Sequence, residues 1–147
     1  MADWAEHPEV FAIPDVTAEC DALQPATVWR MVQYGSACEG ECKKVLKKRA
    51  GDWPQITAIM RKLAKTGVIR NEEQYNHEFD DIYAIKSRRG IRALGHLETR
   101  GDNPKPIFVV LTWFEKQRRA LNRQQIERTK NRRKNFETFI KEQCDEN

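Results

Sequence analysis

The stretch that decides the fold reads IYAIKSRRGIRALGHLE over residues 82–98 and, after a loop, PIFVVLTWF over residues 106–114. β-Branched and aromatic residues dominate the second piece, and apolar residues recur through the first piece on both sides of a polar Arg-Arg-Gly segment, which is typical of strands joined by a turn. The tripeptide Arg88-Arg89-Gly90 predicts a tight turn, and residues 99–105 predict a longer loop. The pattern therefore predicts three strands over residues 82–87, 91–98 and 106–114, which form an antiparallel meander.

The chain before this meander predicts one strand and two helices. Residues 27–34 alternate and are rich in β-formers, whereas residues 41–50 have apolar side chains at helical spacing. A second helix begins after Asp52, with Gln55 at the capping-box position, and ends at Gly67. A final helix begins after Asn122. We therefore expect an α+β domain. Its antiparallel sheet of about four strands would carry an N-terminal helix hairpin on one face and a C-terminal helix.

Length and composition limit the classes of protein that fit. The 147 residues suit one domain, and 33% charged residues with no long apolar run exclude a membrane span. The N-terminus is acidic and lacks the basic start of a secretory signal, so we expect a cytoplasmic protein. The four cysteines are expected to be reduced thiols, and no metal or other cofactor is expected. Residues 1–26 are acidic and contain three prolines. They predict an extension with little regular structure before a domain over residues 27–147.

The charge is distributed unevenly along the chain. Residues 1–42 contain eight acidic residues and one basic residue, whereas residues 115–134 contain nine basic and two acidic residues. Clustered lysine and arginine side chains are typical of proteins that bind phosphates, although most such runs are solvated helix faces. The asymmetry also suggests that the acidic first 26 residues fold over the basic surface and mask it.

Four segments together resemble a known family. They are residues 82–86 (IYAIK), 91–94 (IRAL), 110–116 (VLTWFEK) and 126–134 (IERTKNRRK). In order and spacing they resemble the RelE/HigB toxins of type II toxin–antitoxin systems, in particular the phage-derived branch. The resemblance covers about residues 27–142. Lys86 stands where the family usually has arginine, Trp113 stands where many members have histidine, and residues 117–119 replace its Lys/Gln/Lys run.

This resemblance implies a RelE/ParE-like fold for the expected α+β domain, and it also implies a function and its partners. The family's activity is metal-independent cleavage of mRNA, often on the ribosome, and the partner is a cognate antitoxin, usually a helix-turn-helix protein that binds DNA. Two alternatives remain open: a ParE-like inhibitor of gyrase, and a basic nucleic-acid-binding regulator without enzymatic activity.

Cleavage by attack of a ribose 2′-OH on its phosphate requires a base, an acid and fixed cations around the phosphate. Strand alternation predicts that Lys86, Arg92 and His96 share one face, so these are the catalytic candidates, with Lys86 as base. Either Trp113 or Phe114 could stack on a base, and we favour Trp113. The candidates for binding RNA are Arg88, Arg89, Trp113, Lys116, Arg118, Arg119, Arg123, Lys130, Arg133 and Lys134.

Overall fold

A computed structural model describes residues 3–116 and 121–144. After a 3₁₀ turn at Trp4–Glu6, the elements in chain order are β1 (Val10–Phe11), α1 (Thr17–Ala22), β2 (Arg30–Tyr34), α2 (Ser36–Lys48), α3 (Trp53–Thr66), β3 (Tyr75–Phe79), β4 (Ile82–Lys86), β5 (Ile91–Glu98), β6 (Ile107–Glu115) and α4 (Arg123–Cys144). Within the described residues, no helix is long and apolar enough to cross a membrane.

The sheet has six strands in the order β1-β2-β6-β5-β4-β3, and it is mixed. Strand β2 runs parallel to β6, with Arg30 opposite Ile107 and Gln33 opposite Val110, whereas the other neighbours are antiparallel. The expected four-stranded antiparallel sheet with an N-terminal helix hairpin is therefore wrong. Helices α2 and α3 follow two strands and a helix, so they are not N-terminal. They carry the chain between β2 and the rest of the sheet, and a parallel pair requires such a long connection.

Two short strands that the sequence pattern did not predict, β1 and β3, explain why the sheet has six strands and not about four. Strand β1 has only two residues, and β3 (YNHEF) lies at the other edge of the sheet with no fully buried side chain. Neither strand therefore shows the alternation of apolar and polar residues from which strands are predicted. In contrast, β4, β5 and β6 are antiparallel neighbours, as the pattern over residues 82–114 predicts.

The sheet separates two hydrophobic cores. Helices α2 and α3 cover one face, where Met60 and Leu63 pack with Phe108 and Trp113. Helix α4 covers the other face through Phe136 and Ile140, which pack with Val109 and Leu111. Strand β6 contributes to both cores because successive side chains point to opposite faces of the sheet.

The first residues of the described chain belong to this packed structure. The Trp4 side chain is 2% exposed, contacts the Phe136 ring at a centroid distance of 5.4 Å, and donates its indole N–H to the Arg100 carbonyl. The buried Arg30 side chain binds the carboxylates of Asp3 and Asp21. The expectation of little regular structure over residues 1–26 is therefore wrong for residues 3–26. Their apolar side chains lack a clear period, yet Trp4, Ile13, Val16 and Cys20 are buried.

Candidate nucleic-acid interface

A polar cleft of about 420 Å³ lies where strands β4, β5 and β6 meet the loops that flank them. Its walls come from α3, the loop between α3 and β3, the β4–β5 turn, β5 and the residue after β6. The lining residues are Gln55, Asn71, Glu73, Gln74, Lys86, Ser87, Arg88, Arg92 and Lys116. The volume lies within the range of small-molecule binding sites. Four predicted site residues thus meet in one place: Lys86, Arg88, Arg92 and Lys116.

Three side chains form a row across neighbouring strands at this end of the sheet. Lys86 of β4 is directly opposite Arg92 of β5, and Arg92 is directly opposite Phe114 of β6. Residues opposite each other in antiparallel strands have side chains on the same face. The Arg92 guanidinium donates to the carbonyls of Ser87 at 2.9 Å and Ile91 at 3.1 Å, which fixes its position. The row therefore places two cations on the face that carries Phe114, whose partly exposed ring lines a separate pocket with Glu41 and Lys44 and not the cleft.

The cations in the cleft affect one another. Partial burial and then the Arg92 guanidinium lower the pKa of Lys86, and Lys116 lowers it further, while Glu78 and Glu73 act in the opposite direction. Burial also lowers the pKa of Arg92. An anion such as a phosphate would relieve this crowding of positive charge, because it favours the protonated form of both groups. A lysine with a lowered pKa is also a better base near neutral pH.

The turn and the end of β6 frame the cleft. Arg88 and Arg89 have exposed side chains, and the Arg88 backbone N–H donates to Gln55 Oε1 at 2.7 Å. Lys116 is exposed and its backbone N–H donates to the Gly90 carbonyl. The predicted RNA-binding residues Arg118 and Arg119 lie outside the described residues.

His96 does not reach the cleft. Its side chain is 0% exposed, and its ring packs edge-on against Phe136 of α4 at a centroid distance of 4.9 Å. Burial lowers its pKa, and Nε2 lies 3.5 Å from a carboxylate oxygen of Glu98 without forming a hydrogen bond. The expectation that His96 lines an open groove is therefore wrong. Alternation correctly places it on the face of Arg92, but α4 covers that part of the sheet.

Trp113 is also buried, with 1% of its surface exposed. Its indole N–H donates to Gln33 Oε1 at 2.9 Å, and its ring contacts Trp53 at a centroid distance of 5.4 Å in the core beneath α2 and α3. The expectation that Trp113 stacks on a base is therefore wrong. Of the two neighbouring aromatic residues, Phe114 is the one that shares a face with Arg92.

The cations of α4 form a separate surface. Lys130, Arg133 and Lys134 line a smaller pocket of about 140 Å³ with the β3–β4 turn, where the Lys130 ammonium lies 5.7 Å from the centre of the Phe79 ring. Arg133 is already bound to Asp81 at 2.9 Å and Glu137 at 3.1 Å. Arg123 is 92% exposed and pairs with Glu127. The four predicted α4 residues are therefore not among those that line the cleft.

The uncharged side chains of the cleft could not be selected from the sequence. Gln55 is recognisable there only as a capping-box residue, and Asn71 and Gln74 come from a segment between α3 and β3 that has no distinctive pattern. Such residues carry no motif, because their importance comes from the loops that surround Lys86 in space.

Residues 3–116 and 121–144 contain no group of three or more histidine, cysteine, aspartate or glutamate side chains that could hold a metal ion. No protein-family model matches the chain, and no curated protein matches it in sequence. Function must therefore be inferred from the geometry of the cleft and from the four segments that resemble the RelE/HigB toxins.

Proposed function

We propose that this protein binds single-stranded RNA in the cleft and cleaves it without a metal ion, as the toxin of a toxin–antitoxin pair. The observation that supports this proposal best is the row of Lys86, Arg92 and Phe114. Cations that share a sheet face with a partly exposed aromatic ring suit an RNA strand of more than one nucleotide, since the cations bind the phosphate in the cleft and the ring stacks on a base outside it.

In the proposed reaction, Lys86 accepts the proton of a ribose 2′-OH, and the 2′ oxygen attacks the adjacent phosphorus. The guanidinium of Arg92 stabilises the charge that develops on the phosphate. The bond between phosphorus and the 5′ oxygen breaks, and the Lys116 ammonium donates a proton to that oxygen. The products are a 2′,3′-cyclic phosphate and a 5′-hydroxyl. Partial burial and then the Arg92 guanidinium lower the pKa of Lys86, which is the direction that a base requires.

The resemblance extends this proposal to partners. The substrate is mRNA on the ribosome in the cytoplasm, and a cognate antitoxin, a helix-turn-helix protein that binds DNA, neutralises the toxin. Expression of the protein alone would then arrest growth, and co-expression of the antitoxin would restore it.

A second candidate is a nucleic-acid-binding regulator without enzymatic activity. One observation favours it: the only histidine predicted to act in the cleft, His96, is buried under α4. The cleft then depends on lysine for proton transfer. This candidate predicts binding that weakens steeply as the salt concentration rises, with no cleavage.

The test incubates the purified protein with mRNA and ribosomes in magnesium buffer and, in parallel, with mRNA alone in the presence of a metal chelator. The RNA ends are then analysed in both reactions. Lys86→Met should lower the cleavage rate by at least about 100-fold, the usual contribution of a general base. Lys62→Met is the matched control, because Lys62 is exposed on α3 and does not line the cleft. Its cleavage rate should not change.

Three results would contradict the proposal. Intact RNA together with tight, salt-dependent binding would select the regulator instead. Inhibition of gyrase supercoiling without RNA cleavage would select the ParE-like alternative. Equal loss of activity in Lys86→Met and Lys62→Met would exclude a specific role for Lys86.

A further inference from the structure

Two side-chain amides in the cleft are held in a defined orientation. Gln55 Oε1 accepts the Arg88 backbone N–H at 2.7 Å, and Asn71 Oδ1 accepts the Glu73 backbone N–H at 2.9 Å. A backbone N–H can only donate, so the atom that it contacts must be the carbonyl oxygen of the amide. The oxygen and nitrogen of each amide are therefore not interchangeable.

Because each amide oxygen faces a backbone N–H, each amide nitrogen remains available to donate hydrogen bonds to a ligand. Within residues 3–116 and 121–144, no hydrogen bond engages Gln55 Nε2 or Asn71 Nδ2. Each nitrogen carries two N–H groups. The neighbouring Arg92 also only donates, as does Lys86 while it is protonated, whereas Ser87 Oγ already accepts the Ile91 backbone N–H. Apart from the Glu73 carboxylate and the carbonyl oxygen of the Gln74 amide, the side chains of the cleft therefore mainly present donors.

Nucleobases differ in what they offer to such a surface. Guanine presents O6 and N7, and uracil presents O4, all of which accept hydrogen bonds. Adenine and cytosine carry an amino donor at N6 and N4 instead. The usual recognition of adenine by asparagine or glutamine needs the amide oxygen as acceptor. In the cleft that oxygen is already bound to a backbone N–H.

We propose that the cleft selects keto bases, guanine and uracil, over the amino bases adenine and cytosine, through the amide nitrogens of Gln55 and Asn71. This inference rests on the RNA binding proposed above and adds the base preference of the same site. The cations hold the phosphate irrespective of sequence, and the two amides supply the discrimination.

The cleanest comparison uses labelled oligouridine and oligocytidine of equal length, because the two bases differ at O4 and N4 but have the same size. Binding is measured by fluorescence anisotropy at one salt concentration. We expect the wild-type protein to bind oligouridine roughly tenfold more tightly, within the range that a good base contact provides.

The variant Gln55→Glu with Asn71→Asp reverses the chemistry and keeps the shape. One carboxylate oxygen still accepts the backbone N–H, while an acceptor replaces each free amide nitrogen. The ratio of affinities should therefore invert in favour of oligocytidine, although the added charge weakens binding to both. Asn131→Asp with Asn135→Asp adds the same charge on the exposed side of α4 and should keep the wild-type ratio. If the double variant does not fold, each single variant should still lower the ratio.

The outcomes separate the inference from the function on which it rests. Tight but equal binding of both oligonucleotides by the wild-type protein would overturn the base preference and leave RNA binding intact. Absence of binding to either oligonucleotide would overturn the proposed function itself. Inversion of the ratio in the α4 control would overturn the assignment to Gln55 and Asn71.

Discussion

Glu41 of α2 is the residue whose replacement tests the packing of α4 most directly. Its carboxylate binds Arg132 of α4 through two hydrogen bonds of 2.6 and 3.0 Å, and it also lies 3.4 Å from Arg128. The Trp113 backbone N–H donates to the same carboxylate at 3.2 Å. One side chain therefore connects α2, β6 and α4. We predict that Glu41→Gln, which removes the charge and keeps the shape, destabilises the protein.

The magnitude follows from the burial of the pair. The side chains of Glu41 and Arg132 are only 20% and 18% exposed, so solvent screens the pair weakly. Loss of one partner from a buried ion pair costs about 3–5 kcal/mol. The amide oxygen that replaces the carboxylate in Glu41→Gln still accepts one hydrogen bond, so we expect a smaller loss of about 2–3 kcal/mol. For a chain of this length, that loss lowers Tm by roughly 5–10 °C.

The assay is urea unfolding monitored by circular dichroism, with Glu127→Gln as the matched control. Glu127 also pairs with an arginine of α4, but its side chain is 63% exposed and that of Arg123 is 92% exposed. Exposed pairs of this kind contribute less than about 1 kcal/mol. Equal destabilisation by the two variants, or none by Glu41→Gln, would refute the conclusion that burial makes the Glu41–Arg132 pair important for stability.

Three further predictions concern stability, base stacking and the N-terminal packing. Because folding lowers the pKa of His96, the unfolded chain binds a proton first as the pH falls below about 6.5, so stability should decrease from pH 7 to pH 5 by up to about 1.4 kcal/mol per pH unit. His96→Leu should remove this part of the slope in urea titrations, and an unchanged slope would exclude His96 as its source. Trp113→Phe should lower the free energy of unfolding by about 1–3 kcal/mol through loss of its bond to Gln33, without changing RNA affinity. Phe114→Ala should weaken RNA binding by about 1–3 kcal/mol in fluorescence anisotropy. Weaker RNA binding by Trp113→Phe, with unchanged binding by Phe114→Ala, would instead assign the stacking to Trp113. Trp4→Ala should cost about 3–5 kcal/mol, whereas a negligible loss in thermal unfolding would show that the N-terminal packing contributes little.

Local patterns predicted the centre of this protein better than its edges. The alternation over residues 82–114 depends on side chains that are buried on one or both faces, so it identified β4, β5 and β6. It also placed Lys86 and Arg92 on one face, because partners in adjacent strands follow from the turn at residues 88–90. The direction of β2 relative to β6 depends on how a long connection crosses the sheet, which no local pattern records.

The errors at the candidate site have two physical causes. Alternation assigns a side chain to a face of the sheet but does not show what covers that face. His96 lies on the face of Arg92, yet Phe136 covers it, whereas Arg92 lines the cleft. The register shift between Leu94 and Gly95 also accommodates an extra residue in β6, so the alternation of the strand is interrupted before Trp113.

The parallel pairing of β2 with β6 matters for synthesis of the protein. Arg30 emerges from the ribosome well before its partner Ile107, and β2 is the strand that connects β1 to the rest of the sheet. Until β6 has been made, β2 lacks a neighbour on that side, and its backbone groups remain open to other chains. The hairpins of β3, β4 and β5 close over short distances and so form early, whereas this long-range pairing closes late. A nascent chain that stops before residue 107 therefore leaves β2 as an unprotected edge.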